Sequence, residues 1–142
     1  MNDKLWRGNP APIADFSSET ERKRLSPSGL KVYSRIVDLW RLSPEEAYRL
    51  LDVGSAEIYE TMRHNPEAQI LNEEQMYRIS YTIGIYKALH ICHSDDLADR
   101  WIMLRNRNVI FNGLSPLEFM LQGGIPAMRT VRRLLDARSQ GH

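Results

Sequence analysis

The sequence predicts an all-α protein of about six or seven short helices, and three observations carry that expectation. Apolar residues recur at three- and four-residue spacing along most of the chain, the period of one helix face. Helix-start signals, a Ser or Asn followed by Pro, Glu or Gln, recur between those stretches. No run alternates apolar and polar residues for long enough to make a strand.

Composition narrows the class. The chain has 142 residues, enough for one domain or two small ones. Hydrophobic residues make up 42% and charged residues 26%, ordinary for a soluble globular protein. With a net charge of +1, no global field draws it to nucleic acid or membrane, so any basic surface has to be local. The single cysteine, Cys92, excludes an internal disulfide and fits a reducing compartment. No apolar run reaches the ~18 residues of a membrane span, and the first residues show no apolar signal core. A cytoplasmic protein is expected.

Residues 1–25 read as an arm, with Pro10, Pro12 and a charged run from Glu19 to Arg24; Trp6 and Phe16 are its apolar exceptions. Ser26-Pro27 then opens a first helix over about 27–41, striped by Leu30, Tyr33, Ile36, Val37 and Trp40. Ser43-Pro44-Glu45-Glu46 caps a second helix that ends near Leu51. Asp52-Val53-Gly54 turns, and Ser55 caps a third helix to about residue 63. Asn72-Glu73-Glu74-Gln75 starts a long helix to about Cys92. Met76, Ile79, Ile83, Tyr86, Leu89 and Ile91 are expected to face inward, and Gly84 to permit a close helix crossing. Ser94-Asp95-Asp96 caps the next helix, lined by Leu97, Trp101, Ile102 and Leu104. After Gly123-Gly124, Pro126 starts the last helix, with Met128, Val131, Leu134 and Leu135 on one face.

The stretch Asn108 to Leu121 organises these elements. Asn112-Gly113 is a turn signal, because both residues tolerate positive φ. Ser115-Pro116-Leu117-Glu118 is a capping box with Pro at the first helical position. The apolar residues on both flanks, Val109, Ile110 and Phe111 and then Leu117, Phe119, Met120 and Leu121, are expected to pin this loop onto the core.

Four constellations are candidates for chemistry. Residues 42–63 fit a helix-turn-helix, with Leu50, Leu51, Val53 and Ile58 holding the crossing. A DNA reader of this kind would use Ser55, Ala56, Tyr59, Glu60 and Arg63 at the second helix, with Lys31 and Arg35 contacting phosphate. Glu57 and Glu60 against Arg63 leave that helix one net negative charge, which opposes phosphate binding, so an ordinary helical corner stays open beside the DNA reader. Arg22, Lys23, Arg24 and Arg41 read as helix-solvating charges. His90 and His93 share a helix face, but nothing elsewhere completes a metal site beside Cys92, Asp95 and Asp96, and none is expected. In the final helix Arg129, Arg132, Arg133 and Arg138 against Asp136 leave three net positive charges: a solvated face, or a docking helix for an acidic or phosphate-binding partner. No nucleophile–base pair, Gly-rich phosphate loop or spaced cysteine set is present, so no catalytic residue and no enzyme is expected.

The stretch from Trp101 onward resembles the Xre/MbcA/ParS antitoxin family, whose C-terminal domain reads W-L, then P-N-x-x-[FL]-G-G-x-[ST]-P-L-E-L-L, a Gly turn and a final helix ending in L-L. Trp101-Ile102 opens the pattern; Asn108, Phe111, Gly113, Ser115, Pro116, Leu117 and Glu118 keep it; Gly123-Gly124, Val131, Leu134 and Leu135 close it. The similarity covers about residues 72–138, and the helix-turn-helix at 42–63 more loosely. Arg107 and Val109 replace the family's prolines, Asn112 replaces the first Gly of the pair, and Tyr48 and Asp52 depart from the usual DNA-binding half. The resemblance implies a flexible arm at 1–25, a helix-turn-helix-like DNA-binding or dimerisation region at 26–68 and a toxin-binding domain at 69–142. The partner implied is a RES-domain toxin that consumes NAD and whose active-site entrance the antitoxin covers; the antitoxin itself holds no cofactor. Toxin contacts are then expected at Asn108, Phe111, Gly113, Ser115, Arg129, Arg132, Arg133 and Arg138, with arginine forks suited to a pocket that accepts phosphates. A homodimer that represses its own operon through operator DNA is expected too. A stand-alone helix-turn-helix regulator without a toxin is the alternative.

Overall fold

A computed structural model describes residues 14–139. They form six α-helices joined by turns and three short 3-10 segments, with no strand among the described residues. The helices are α1 (Glu19–Leu39), α2 (Pro44–Leu51), α3 (Ala56–His64), α4 (Glu73–Cys92), α5 (Asp95–Arg100) and α6 (Pro116–Ser139). No helix among the described residues is long and apolar enough to cross a membrane.

The helix starts follow the capping chemistry. Ser43 and Asn72 each form a complete capping box, with Glu46 and Gln75 respectively. Ser55 Oγ accepts the Ile58 N–H at 3.2 Å. Ser94 leads into α5 without a side-chain cap. The break expected at Gly123-Gly124 falls at Gly124, at φ 64° and ψ −146°, within the α6 span.

The first helix departs from expectation. It begins at Glu19, capped by Ser18, whose hydroxyl accepts the Glu21 N–H. Residues 19–25 are therefore helix rather than arm, and Phe16 is buried, edge-on to Tyr77 at 5.0 Å between centroids. Ser26 is not a cap. It lies fully buried inside α1, where its hydroxyl bonds the Arg22 carbonyl and accepts the Leu71 N–H at 2.8 Å. Pro27 sits within the helix. Tertiary contacts of Phe16 and Ser26 outweigh the local preference for Pro at a helix start. Trp6 lies outside the described residues.

Helix α4 is the centre of the molecule. It buries Met76, Ile79, Thr82, Gly84, Ile85, Ala88 and Leu89 and packs between α1 and α6. Ile91, expected to face inward, is 69% exposed. The interior is continuous across the boundary expected at 68/69: Tyr33, Trp40 and Leu51 belong to the same buried cluster as Leu89, Phe111 and Leu135. Stability is thus shared between the two regions.

Candidate functional site

Three surfaces contain the residues singled out by sequence.

The first is the α2–turn–α3 corner. Asp52 closes α2 in the left-handed region, φ 65° and ψ 50°, and its N–H reaches the Arg49 and Tyr48 carbonyls. This is the conformation that Gly supplies most readily. Ser55, Ala56 and Arg63 are partly buried at the surface of α3, but Tyr59 is not available to a groove. It is 2% exposed, edge-on to Tyr33, and its hydroxyl meets that of Ser34 at 3.1 Å. Burial raises the Tyr59 phenol pKa above its ordinary value. Ile58, expected to hold the crossing, is 50% exposed instead. The register of α3 is therefore shifted by one position from the expected face, because the aromatic pair with Tyr33 claims the core side.

The cations expected to meet phosphate are partly neutralised. Lys31 Nζ pairs with Glu67 at 2.6 Å. Arg63 lies between Asp38 at 3.5 Å and Glu60 at 3.8 Å. Arg35, one turn along α1 from Lys31, is exposed and acts electrostatically on Tyr86 of α4. Glu57 and Glu60 are exposed on α3 beside these cations.

The second surface is the last helix. Arg129 donates to the Tyr81 hydroxyl at 3.1 Å and lies over its ring. Arg132 pairs with Asp136 at 3.0 Å, and its guanidinium lies against Gly84, where a methyl group would overlap it. Gly84 thus makes room for an arginine side chain of α6 where α4 and α6 pack together. Arg133 and Arg138 are exposed. Arg132 and Asp136 sit at one end of an apolar groove of about 850 Å³ between α1, α4 and α6, which Val32, Ile83 and Ile91 also line.

The third surface is the loop before α6. Asn108 Oδ1 accepts the Ile110 N–H at 3.1 Å, and Asn106 Oδ1 accepts the Asn108 N–H at 2.9 Å. Val109–Phe111 makes one 3-10 turn, which ends at Asn112 with φ 52° and Gly113 with φ 84°. Phe111 is fully buried, edge-on to both Trp101 and Phe119 at 6.1 and 5.2 Å. Ser115, 5% exposed, and Glu118 complete the expected capping box. Those bonds from Ser115 lower the Glu118 carboxyl pKa.

Phe111 and Ser115, expected at the toxin interface, are therefore internal parts of the loop. Of the apolar pins expected there, Phe111, Leu117 and Met120 are buried and Phe119 and Leu121 pack partly buried against the core, whereas Val109 is 88% exposed and Ile110 37%. Leu104, expected to line α5, is 43% exposed beside Met103 at 37%. Sequence reasoning missed this outward apolar set, because an apolar residue next to a buried one reads as core.

His90 lies between two carboxylates at the junction of α4 and α5. Its Nδ1 bonds Asp95 at 2.9 Å and its Nε2 bonds Asp99 at 2.8 Å. A ring whose two nitrogens both face carboxylates is held as the imidazolium. Burial opposes the charge, but the two carboxylates together outweigh it and raise the pKa above 6.5.

Over 131 residues, 92% of this chain and 98% of its relative, the sequence is 34% identical to "Uncharacterized protein y4oB" of Sinorhizobium fredii (strain NBRC 101917 / NGR234). No family model and no solved structure matches the chain.

Proposed function

The chain belongs to the family of the uncharacterized protein y4oB of Sinorhizobium fredii, and we propose that it is the antitoxin of a RES-type toxin–antitoxin pair, a non-catalytic binding protein acting in the cytoplasm. The observation that carries this reading is the loop before α6. Of the residues that match the antitoxin motif, Asn108 and Phe111 are joined in one 3-10 turn, Gly113 follows it at positive φ, and Ser115 and Glu118 form the capping box of α6. In this reading the antitoxin docks with its C-terminal region on an NAD-consuming toxin and covers the entrance to the toxin's active site. Arg133 and Arg138, both exposed, supply charge toward a phosphate-accepting pocket. Arg132 is held by Asp136 and acts through the shape of α6.

A homodimeric DNA-binding regulator is the second reading, favoured by the left-handed turn at Asp52 between α2 and α3. The buried Tyr59 and the paired Lys31 and Arg63 weigh against a strong phosphate grip at that corner.

Co-expression with a RES-domain toxin from the same operon tests the proposal. The expected result is a co-purifying complex with loss of NAD consumption, reversed by Arg133→Glu together with Arg138→Glu. Free NAD consumption beside a folded, unassociated antitoxin would reject it. Salt-dependent binding of operator DNA under those conditions would establish the regulator instead.

A further inference from the structure

We propose that residues 1–13 dock in the apolar groove between α1, α4 and α6, with Trp6 seated at its Ile91 end. The occupant is a segment of the same chain, so the contact is independent of any toxin or DNA.

The groove follows α4. On the α1 side, Ser26 meets Met76 and Gly29 lies against Ile79. On the α6 side, Arg129 meets Tyr81, and Cys92 reaches the Leu135 carbonyl at 3.9 Å. Both neighbours therefore run in the direction of α4, and the furrow between them extends from Met76 to Ile91. Ile79, Ile83 and Ala88 line its length, and Val32, 41% exposed, and Ile91, 69% exposed, stand open to it. An apolar furrow of about 850 Å³ gains free energy when a matching apolar segment covers it.

The position of Ala14 identifies that segment. Ala14 and Phe16 themselves line the Met76 end, where Phe16 packs edge-on to Tyr77. The thirteen residues before Ala14 thus start from the mouth of the groove. They carry the adjacent apolar pair Leu5-Trp6, and Pro10 and Pro12 favour an extended path between that pair and Ala14. From Ala14 back to Trp6 is eight residues, about 25 Å at the polyproline rise of ~3.1 Å. From Met76 to Ile91 is fifteen residues of helix, about 22 Å at the helical rise of ~1.5 Å. The two lengths match, so an extended segment entering beside Phe16 brings Trp6 to Ile91. Asp136 and Ser139 of α6 line the groove too and offer acceptors to an indole N–H. A tether this short holds the segment at an effective concentration of roughly millimolar, which a separate molecule has to outcompete.

Acrylamide quenching of tryptophan fluorescence in the full chain tests this. The other two tryptophans, Trp40 and Trp101, are 2% and 6% exposed, so a Trp6→Phe variant supplies a weakly quenched baseline. The wild type is expected to be quenched little more than that baseline. Val32→Asp on α1 and Ile91→Asp on α4 each place a charge in the groove, and each is expected to raise the quenching of Trp6 several-fold. Both substitutions fall at exposed positions, and unchanged helical circular dichroism shows that the variants fold. Strong quenching in the wild type, or shielding of Trp6 that both groove variants retain, would overturn the inference. Shielding that grows with protein concentration would give the groove to a second copy and overturn it as well.

Discussion

Ser115 and Glu118 exchange two hydrogen bonds across the first turn of α6. The Ser115 N–H donates to Glu118 Oε1 at 2.9 Å, and the Glu118 N–H donates to Ser115 Oγ at 3.1 Å. This pair joins the exposed loop to the first turn of α6, and Ser115 is buried. Ser115→Ala is expected to cost about 1 kcal/mol, and Ser115→Thr much less, because the cap acceptor survives. Urea unfolding of the three proteins checks this.

Phe111 and Val109 are two residues apart and differ in their expected effect. Phe111→Ala removes a fully buried ring and is expected to cost about 3–5 kcal/mol. Val109→Ala, at an exposed position, is expected to shift stability by less than about 0.5 kcal/mol. Chemical denaturation of the free protein separates the anchor from the presented side chain.

Asp52 occupies the left-handed region through backbone bonds that any residue can make. Asp52→Gly removes the Cβ strain and is expected to stabilise the protein by up to about 1 kcal/mol. Asp52→Val is expected to destabilise it by about 1–2 kcal/mol. Thermal melts of both variants provide the comparison; a stable valine variant would show that the turn re-forms in another conformation.

The His90 clamp predicts a pH dependence. Its folded pKa lies above the unfolded value of about 6.5, so the folded state binds the proton more tightly. The stabilisation is fully present below pH 6.5 and is lost as the pH rises through the raised folded value. The melting-temperature difference between wild type and His90→Gln is expected to be largest near pH 5.5–6 and to shrink in mildly alkaline buffer. A difference that grows with pH would contradict the clamp.

Tyr59→Phe removes the hydroxyl contact with Ser34 but keeps the ring against Tyr33. It is expected to cost about 1 kcal/mol. If the corner binds operator DNA at all, the salt slope of binding is expected to be unchanged in this variant, because the phenol is inside the fold.

Local chemistry is legible in this sequence wherever neighbours along the chain decide the outcome. The caps at Ser43, Asn72 and Ser115, the turn at Asn112-Gly113 and the break at Gly124 all involve residues within three or four positions of one another. So does the all-α class, since a helix period needs no knowledge of the partner surface. Apart from the cap that Ser94 does not make, what failed required contacts over long separations. The start of α1 is decided by Phe16 against Tyr77 and by Ser26 against Leu71, whereas the local rule pointed to Pro27. The face of α3 is decided by Tyr59 against Tyr33. Lys31 finds Glu67, and Arg132 finds the gap at Gly84. The outward Val109 is the clearest instance. By sequence alone Val109 and Phe111 are equal members of an apolar run, and only the tertiary structure divides them, because one 3-10 turn carries Phe111 onto Trp101 and Phe119 and leaves Val109 in solvent.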